Sequence, residues 1–172
     1  MNLIFSADDN WGIGFNNKLL FNIRGDMAYF KAMTTGKTVV MGRSTLESLP
    51  GAKPLAGREN IVLTTNEGYA VEGAKICHSY SELFDFLRDK PLQDVFIIGG
   101  ESIYRAMLAY CSKAYITRFY AQAPADCFMP DFNKLLGWKL CSSSEMMQEN
   151  GMSYQFLIYG QKSPAPFSGI YG

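Results

Sequence analysis

Four places in the chain carry groups suited to chemistry. Asp26 precedes Met27, Phe30 and Met33, apolar residues at helical spacing. A carboxylate on the apolar side of such a helix is desolvated, which raises its pKa, and it can grip a cationic or amidine-like heterocycle through paired hydrogen bonds. The alternative is a solvated acid in a first helical turn, favoured by the helix dipole. Gly99-Gly100 follows a continuous apolar run and precedes a helical one, so a phosphate or another backbone can come close there; a plain strand-to-helix link is the alternative. Met41-Gly42-Arg43-Ser44-Thr45 ends a strand in a glycine, a base and two hydroxyls, which suits a phosphate or a capped surface turn. Arg58, after Gly57, can hold a carboxylate bidentately or stand solvated.

Other chemistries lack their residues. Gly12-Ile13-Gly14-Phe15-Asn16-Asn17 ends in Asn where a dinucleotide fingerprint needs its third glycine, and Gly99-Gly100-Glu101-Ser102 lacks the lysine of a phosphate-binding P-loop. The single histidine, His78, sits in no hydrolase motif. Cys77, Cys111, Cys127 and Cys141 form no C-x-x-C pair, so no metal is expected, and small buried thiols in a reducing cytoplasm are the simple reading. Sixteen basic residues balance 16 acidic ones without a basic cluster, which argues against nucleic acid and for a small partner. No apolar run approaches the ~18 residues a membrane span requires. At 172 residues, 48% hydrophobic and 14% aromatic, the chain suits one folded domain. No long apolar stripe is left over, so a monomer is expected.

The elements that must position these groups alternate. Leu3 to Ala7, Lys37 to Met41, Asn60 to Thr65 and Asp94 to Ile98 read as buried strands. Asp26 to Thr35, Ser44 to Leu49, a segment after the Ser79-Tyr80-Ser81-Glu82 capping box as far as Asp89, and Ser102 to Ala109 read as helices. Pro50 to Gly57 reads as a loop. Three late strands, Lys113 to Ala121, Trp138 to Ser144 and Ser153 to Gly160, follow with short connections. The expected fold is α/β: a mostly parallel central sheet with antiparallel C-terminal edge strands, flanked by helices as a three-layer sandwich. Residues 1–160 form the domain, and 161–172, with Pro164, Pro166 and two glycines, are expected to be a flexible tail.

Taken in order, these landmarks resemble the dihydrofolate reductase family from Leu3 to about Tyr159. They are Gly12-Ile13-Gly14, Asp26 with Phe30, Val40-Met41-Gly42-Arg43 with Thr45, Glu47-Ser48-Leu49, Pro54-Leu55-Ala56-Gly57-Arg58 with Asn60, Ile97-Ile98-Gly99-Gly100 with Tyr104, Thr117, and Asp126 before Pro130-Asp131. The resemblance implies hydride transfer from NADPH to C6 of the pterin of 7,8-dihydrofolate, with a proton added at N5. It also implies a place in one-carbon metabolism and binding of antifolate inhibitors. Asp26, helped by Thr117, would hold the pterin N3 and 2-amino group, and a water admitted by the first loop would supply the proton. Phe21, at the lid position near that water, completes the implied catalytic set.

Around the substrate the resemblance implies Ile4, Phe5, Met27, Phe30, Leu49, Leu55 and Ile98, with Arg58 on the glutamate α-carboxylate. Around the cofactor it implies Arg43 and Thr65 near the 2′-phosphate, with Gly42, Ser44, Thr45, Leu63, Thr64 and His78 beside them. Gly99-Gly100, a cis peptide in the family, would sit at the pyrophosphate with Glu101, Ser102, Ile103 and Tyr104. Ala7, Ile13, Gly14, Asn17 and Ile98 would complete that site. The loop from Asp9 to Ile23 would act as a lid latched by Asp126.

The chain departs from the family at Leu20-Phe21, where a Pro-Trp pair is usual, and at Arg24-Gly25, where Pro and a polar residue often stand. Phe21 lacks the indole N–H that helps to hold the water. Ser44 replaces a base seen in some relatives, and Gly151 a lid-stabilising hydroxyl. Two rival readings follow: a binding protein that no longer turns over, and a pyrimidine reductase of riboflavin synthesis on the same fold. Binding without cofactor oxidation would mark the first; the second does not require Asp26, Thr117 and Arg58 together.

Overall fold

The computed structural model describes residues 1–166. Apolar runs too short for helices pair side by side into one sheet: β1 (Asn2–Ala7), β3 (Thr38–Gly42), β4 (Glu59–Leu63), β5 (Ala74–Cys77), β6 (Val95–Gly99) and β7 (Lys113–Phe119) are mutually parallel in the order β7-β1-β6-β3-β4-β5. The long β11 (Met152–Gln161) closes the other side of β7 antiparallel. On its far edge β11 carries β9 (Trp138–Ser143) and β10 (Met147–Glu149). This is the expected mostly parallel sheet with an antiparallel C-terminal edge. A separate small ribbon pairs β2 (Gly12–Gly14) with β8 (Cys127–Phe128).

Strand alternation divides the interior into two layers. Leu3, Phe5, Val40, Ile61 and Ile97 point to one face, which α3 (Tyr80–Leu87) and α4 (Glu101–Met107) cover through Leu83, Phe84, Leu87, Ile103 and Met107. Ile4, Val39, Met41, Val62, Phe96 and Ile98 point to the other, where Tyr29, Phe30 and Met33 of α1 (Arg24–Thr34) and Leu46 of α2 (Arg43–Ser48) pack. Ser79 caps α3 by accepting from the Glu82 amide, as its sequence implies, while the Glu82 carboxylate accepts from the His78 amide, one residue before the Ser79 amide that a capping box engages.

Several boundaries move for identifiable reasons. β5 was not expected: Lys75 interrupts a four-residue run, as suits a strand at the edge of a sheet. β10 has no β-branched residue and exists because the Asn150-Gly151 turn, both residues at positive φ, folds it back on β11. β4 stops at Leu63, short of the expected Thr65, and the helix after Gly100 ends at Met107 in a 3-10 turn (Leu108–Tyr110), short of Ala109. The tail was expected to loosen from residue 161, but Gln161 pairs with Trp138, and the amides of Lys162 and Ala165 donate to Gly137 and Ala109. The expectation for residues 167–172 lies outside the described residues.

Ile97 is fully buried in the middle of β6 between the two strands that flank it. Ile97→Ala is expected to cost about 2–5 kcal/mol, read as a lower urea midpoint with an unchanged slope.

Candidate active site

The inward stripe of α1 is Asp26, Phe30 and Thr34, one helical turn apart, with Asp26 and Thr34 buried. Asp26 is 7% exposed, and burial pushes its carboxyl above the ordinary 3.8. A hydrogen bond with the buried Thr117 hydroxyl pulls the other way and is the weaker influence. Thr117 stands on β7, where it pairs with Ser6 of β1 and Phe156 of β11. Tyr104, also buried, donates to the Ile4 carbonyl at 2.8 Å; burial raises its pKa and the Asp26 charge raises it further.

At the other end of the stripe, Thr34 Oγ1 accepts from Arg58 Nε at 3.2 Å and Nη2 at 3.1 Å, while Arg58 Nη1 donates to the Ala56 carbonyl at 2.7 Å. Asn60 ties down the loop that carries Arg58, donating to the Leu55 and Arg58 carbonyls and accepting from the Leu55 amide. Eight residues of helix set Asp26 and Thr34, the residue that holds Arg58, about 12 Å apart along its axis. Ile4, Phe30, Leu49, Leu55 and Ile98 share the apolar cluster on this face of the sheet. Two expected members differ. The Phe5 ring alternates to the opposite layer, against Tyr104 and Phe132 at 5.4 and 5.7 Å, and Met27 is 44% exposed on the rim of α1.

A second group lines the carboxyl ends of the parallel strands. β3 ends at Gly42, and Arg43, Ser44 and Thr45 open α2. β6 ends in the cis Gly99-Gly100 peptide, where a Cβ on Gly99 would press on Tyr104 at 3.3 Å and one on Gly100 would meet Thr45 Oγ1 at 3.4 Å. Ile103 packs over Gly42. Beyond β4 and β5, the Thr64 carbonyl meets His78 Nδ1 at 3.0 Å, and Thr65 is exposed. Arg43 makes a long, exposed pair with Glu47 at 3.5 Å and stands 5.9 Å from the centroid of the Tyr69 ring. A backbone cradle kept open by glycines, with a largely uncommitted guanidinium alongside, fits a bound dinucleotide phosphate. Glu101 is committed elsewhere, accepting from Arg105 and from the Phe128 amide; Ser102 is exposed.

The first loop is tied to the second group and to the loop before β8. Asp126 Oδ2 accepts from the Asn16 amide at 2.8 Å, and the Gly14 carbonyl accepts from the Asp126 amide at 3.0 Å. Asn17 Nδ2 reaches the Ser44 carbonyl at 2.9 Å. Ala7 and Ile13 of this segment, both buried, and Leu63 at the end of β4, partly buried, belong to the layer under α3 and α4. At the far end of the loop Phe21 packs against Phe119 at 4.8 Å, in a cluster with Ile23 and Tyr154.

A family model described as dihydrofolate reductase matches residues 1–161. The chain belongs to the dihydrofolate reductase family. Dihydrofolate reductase of Bacillus subtilis (strain 168) is 32% identical over 172 residues, 99% of each chain. A type 3 dihydrofolate reductase of Salmonella typhimurium is 34% identical over 154 residues, 90% of this chain and 92% of that one. Dihydrofolate reductase from Enterococcus faecalis, complexed with NADP(H) and RAB-propyl, superposes with a TM-score of 0.82 at 26% identity, covering 94% of this chain and 96% of that one. In this reductase three site features escaped the sequence reading. Thr34 was findable as two helical turns beyond Asp26; Tyr154 and Glu149, which flank the start of α1, carry no local signal.

The raised pKa of Asp26 sets a pH-dependent stability. Below the ordinary 3.8 the carboxyl is protonated folded or unfolded and costs nothing; as pH rises, the unfolded chain ionises first and the folded state loses ground, until pH passes the raised folded value. Asp26→Asn is therefore expected to melt above wild type at pH 7, by about 2–4 °C per kcal/mol relieved, with the gap closing below pH ~4. A gap independent of pH, followed by thermal melts from pH 3.5 to 8, would contradict this.

Proposed function

We propose that this chain's reaction, the NADPH-dependent reduction of 7,8-dihydrofolate to 5,6,7,8-tetrahydrofolate, is run by Asp26 at the pterin end and Arg58 at the glutamate end of the apolar face along α1. The observation that carries this reading is the stripe itself: a desolvated acid and a guanidinium held by Thr34 at opposite ends of an apolar wall. Such a wall suits a molecule with an amidine-like heterocycle at one end, an aromatic middle and a carboxylate at the other.

NADPH supplies the hydride when bound. Gly99 and Gly100 offer the open backbone for its pyrophosphate, and Arg43 with Thr65 offers the charge and hydroxyl for a 2′-phosphate. Thr45 and His78 flank that strip.

Asp26 acts by orientation and charge. Accepting from N3 and the 2-amino group, it fixes the pterin plane and favours the ring as its positive charge grows on protonation. Thr117 offers its hydroxyl to that carboxylate. N5 lies across the ring from such a carboxylate, so the proton comes from water whose entry the first loop governs, with Asp126 holding that loop through the Asn16 amide. Phe21 contributes packing at the loop's end and no hydrogen bond to that water. Antifolates that carry an amidine-like ring would compete at Asp26. We assign the chain as a monomer of the cytoplasm, in keeping with four free thiols, two of them buried.

Loss of NADPH absorbance on adding 7,8-dihydrofolate tests the reading. Wild type is expected to turn over NADPH at least about tenfold more efficiently than NADH, and Asp26→Asn to lose about 10²-fold or more in kcat/KM for dihydrofolate at pH 7. Undiminished turnover in Asp26→Asn would remove the acid from its assigned role.

A further inference from the structure

The helix that carries Asp26 has no cap of its own. Its N-cap residue, Ile23, is extended and offers no side-chain acceptor, and the following amides of Arg24 and Gly25 are among the four that an α-helix leaves without internal partners. Both are met from the far end of the chain. Glu149 Oε1 accepts from the Arg24 amide at 2.9 Å, and Glu149 Oε2 accepts from the Gly25 amide at 3.0 Å. One carboxylate thus takes two adjacent amides in a bidentate grip, and its charge suits the positive end of the helix dipole.

Local sequence makes room for this grip. A proline at position 24 would have no N–H to donate. At position 25 any Cβ would collide with the Tyr154 hydroxyl and press on Glu149 Oε2 at 3.2 Å, so glycine is what lets both groups reach the helix start. Glu149 is the last residue of β10 and is carried to this spot by the Asn150-Gly151 turn, with Glu149 opposite Met152. Two residues further along β11, Tyr154 is buried beside Asp26: burial raises its pKa, with smaller contributions from Glu149 and Asp26. Then Phe156 pairs with Thr117, the residue bonded to Asp26. The β10–β11 hairpin therefore touches the acid's helix at its first amides and the acid's strand partner at its register.

We propose that Glu149 is a positioning residue for dihydrofolate binding: its carboxylate sets the seat of the first turn of α1, and so the depth and direction of Asp26, and it fixes the joint where the first loop runs into α1. This rests on Asp26 holding the pterin. Glu149 touches no substrate in this account; it acts through two backbone amides. Its carboxylate bonds the first amides of α1, whereas the cofactor strip stands at the carboxyl ends of β3 to β6.

Steady-state kinetics and equilibrium folate titration on Glu149→Ala, Glu149→Gln and Gln148→Ala test the proposal, with Asp26→Asn alongside. Gln148 shares the hairpin but bonds only across it, to Ser153. Glu149→Ala is expected to raise the KM for dihydrofolate and the Kd for folate about tenfold, leaving the KM for NADPH within about twofold; Gln148→Ala is expected to match wild type. Glu149→Gln keeps the shape but one acceptor oxygen, and is expected to fall between them; it also serves if the alanine variant does not fold. In the Asp26→Asn background, removing Glu149 is expected to add less than about twofold to the folate Kd. The proposal is overturned if Glu149→Ala and Glu149→Gln lower only the melting temperature, or raise both KM values equally, while Asp26→Asn still weakens folate binding. Full folate binding by Asp26→Asn would instead overturn the reading of Asp26 on which the proposal rests.

Discussion

Removing a carboxylate from water is costly, and at Asp26 the fold does so with one hydroxyl, Thr117, as its offered partner. Much of the site's geometry follows from this. An acid so placed holds its proton more tightly and favours a positively charged or hydrogen-bond-donating ring over water. It must also be held firmly, because a small shift would let solvent in. β7 supplies the hydroxyl, α1 the carboxylate, and the β10–β11 hairpin the contacts at the helix start.

The sheet explains how such a site coexists with a dinucleotide cradle. Parallel strands end together, so Gly42, Thr64, His78 and Gly99 line one edge without needing proximity in sequence. Alternation then sends Ile4 and Ile98 toward the α1 side of the sheet while their neighbours Phe5 and Ile97 pack under α3 and α4. The first loop is tied to the cofactor side because Asn16 is held by Asp126 and Asn17 reaches Ser44.

What could be read from the sequence follows from the range of each interaction. The buried strands showed as apolar runs because both faces are covered, and the α3 cap showed because its partners lie three or four residues apart. Asp26, Arg43, Arg58 and the Gly99-Gly100 pair were visible as local chemistry, though their convergence was legible only through the family resemblance. Phe5 was expected beside the substrate through the resemblance, whereas period-two alternation from Ile4 turns its ring to the other layer. β5 and β10 were missed because charged or unbranched residues fill them, although the Asn150-Gly151 pair offered a hairpin signal. The contact of Glu149 with Arg24, 125 residues apart, has no trace in local pattern.

The direct measure of the central claim is the carboxyl titration of Asp26 itself, followed by 13C NMR of aspartate-labelled protein and assigned by its loss in Asp26→Asn. A midpoint clearly above the ordinary 3.8 is expected, since burial outweighs the Thr117 hydrogen bond. A midpoint at or below 3.8 would mean that the carboxylate is solvated or better partnered than described, and the desolvated anchor at the centre of this account would be wrong.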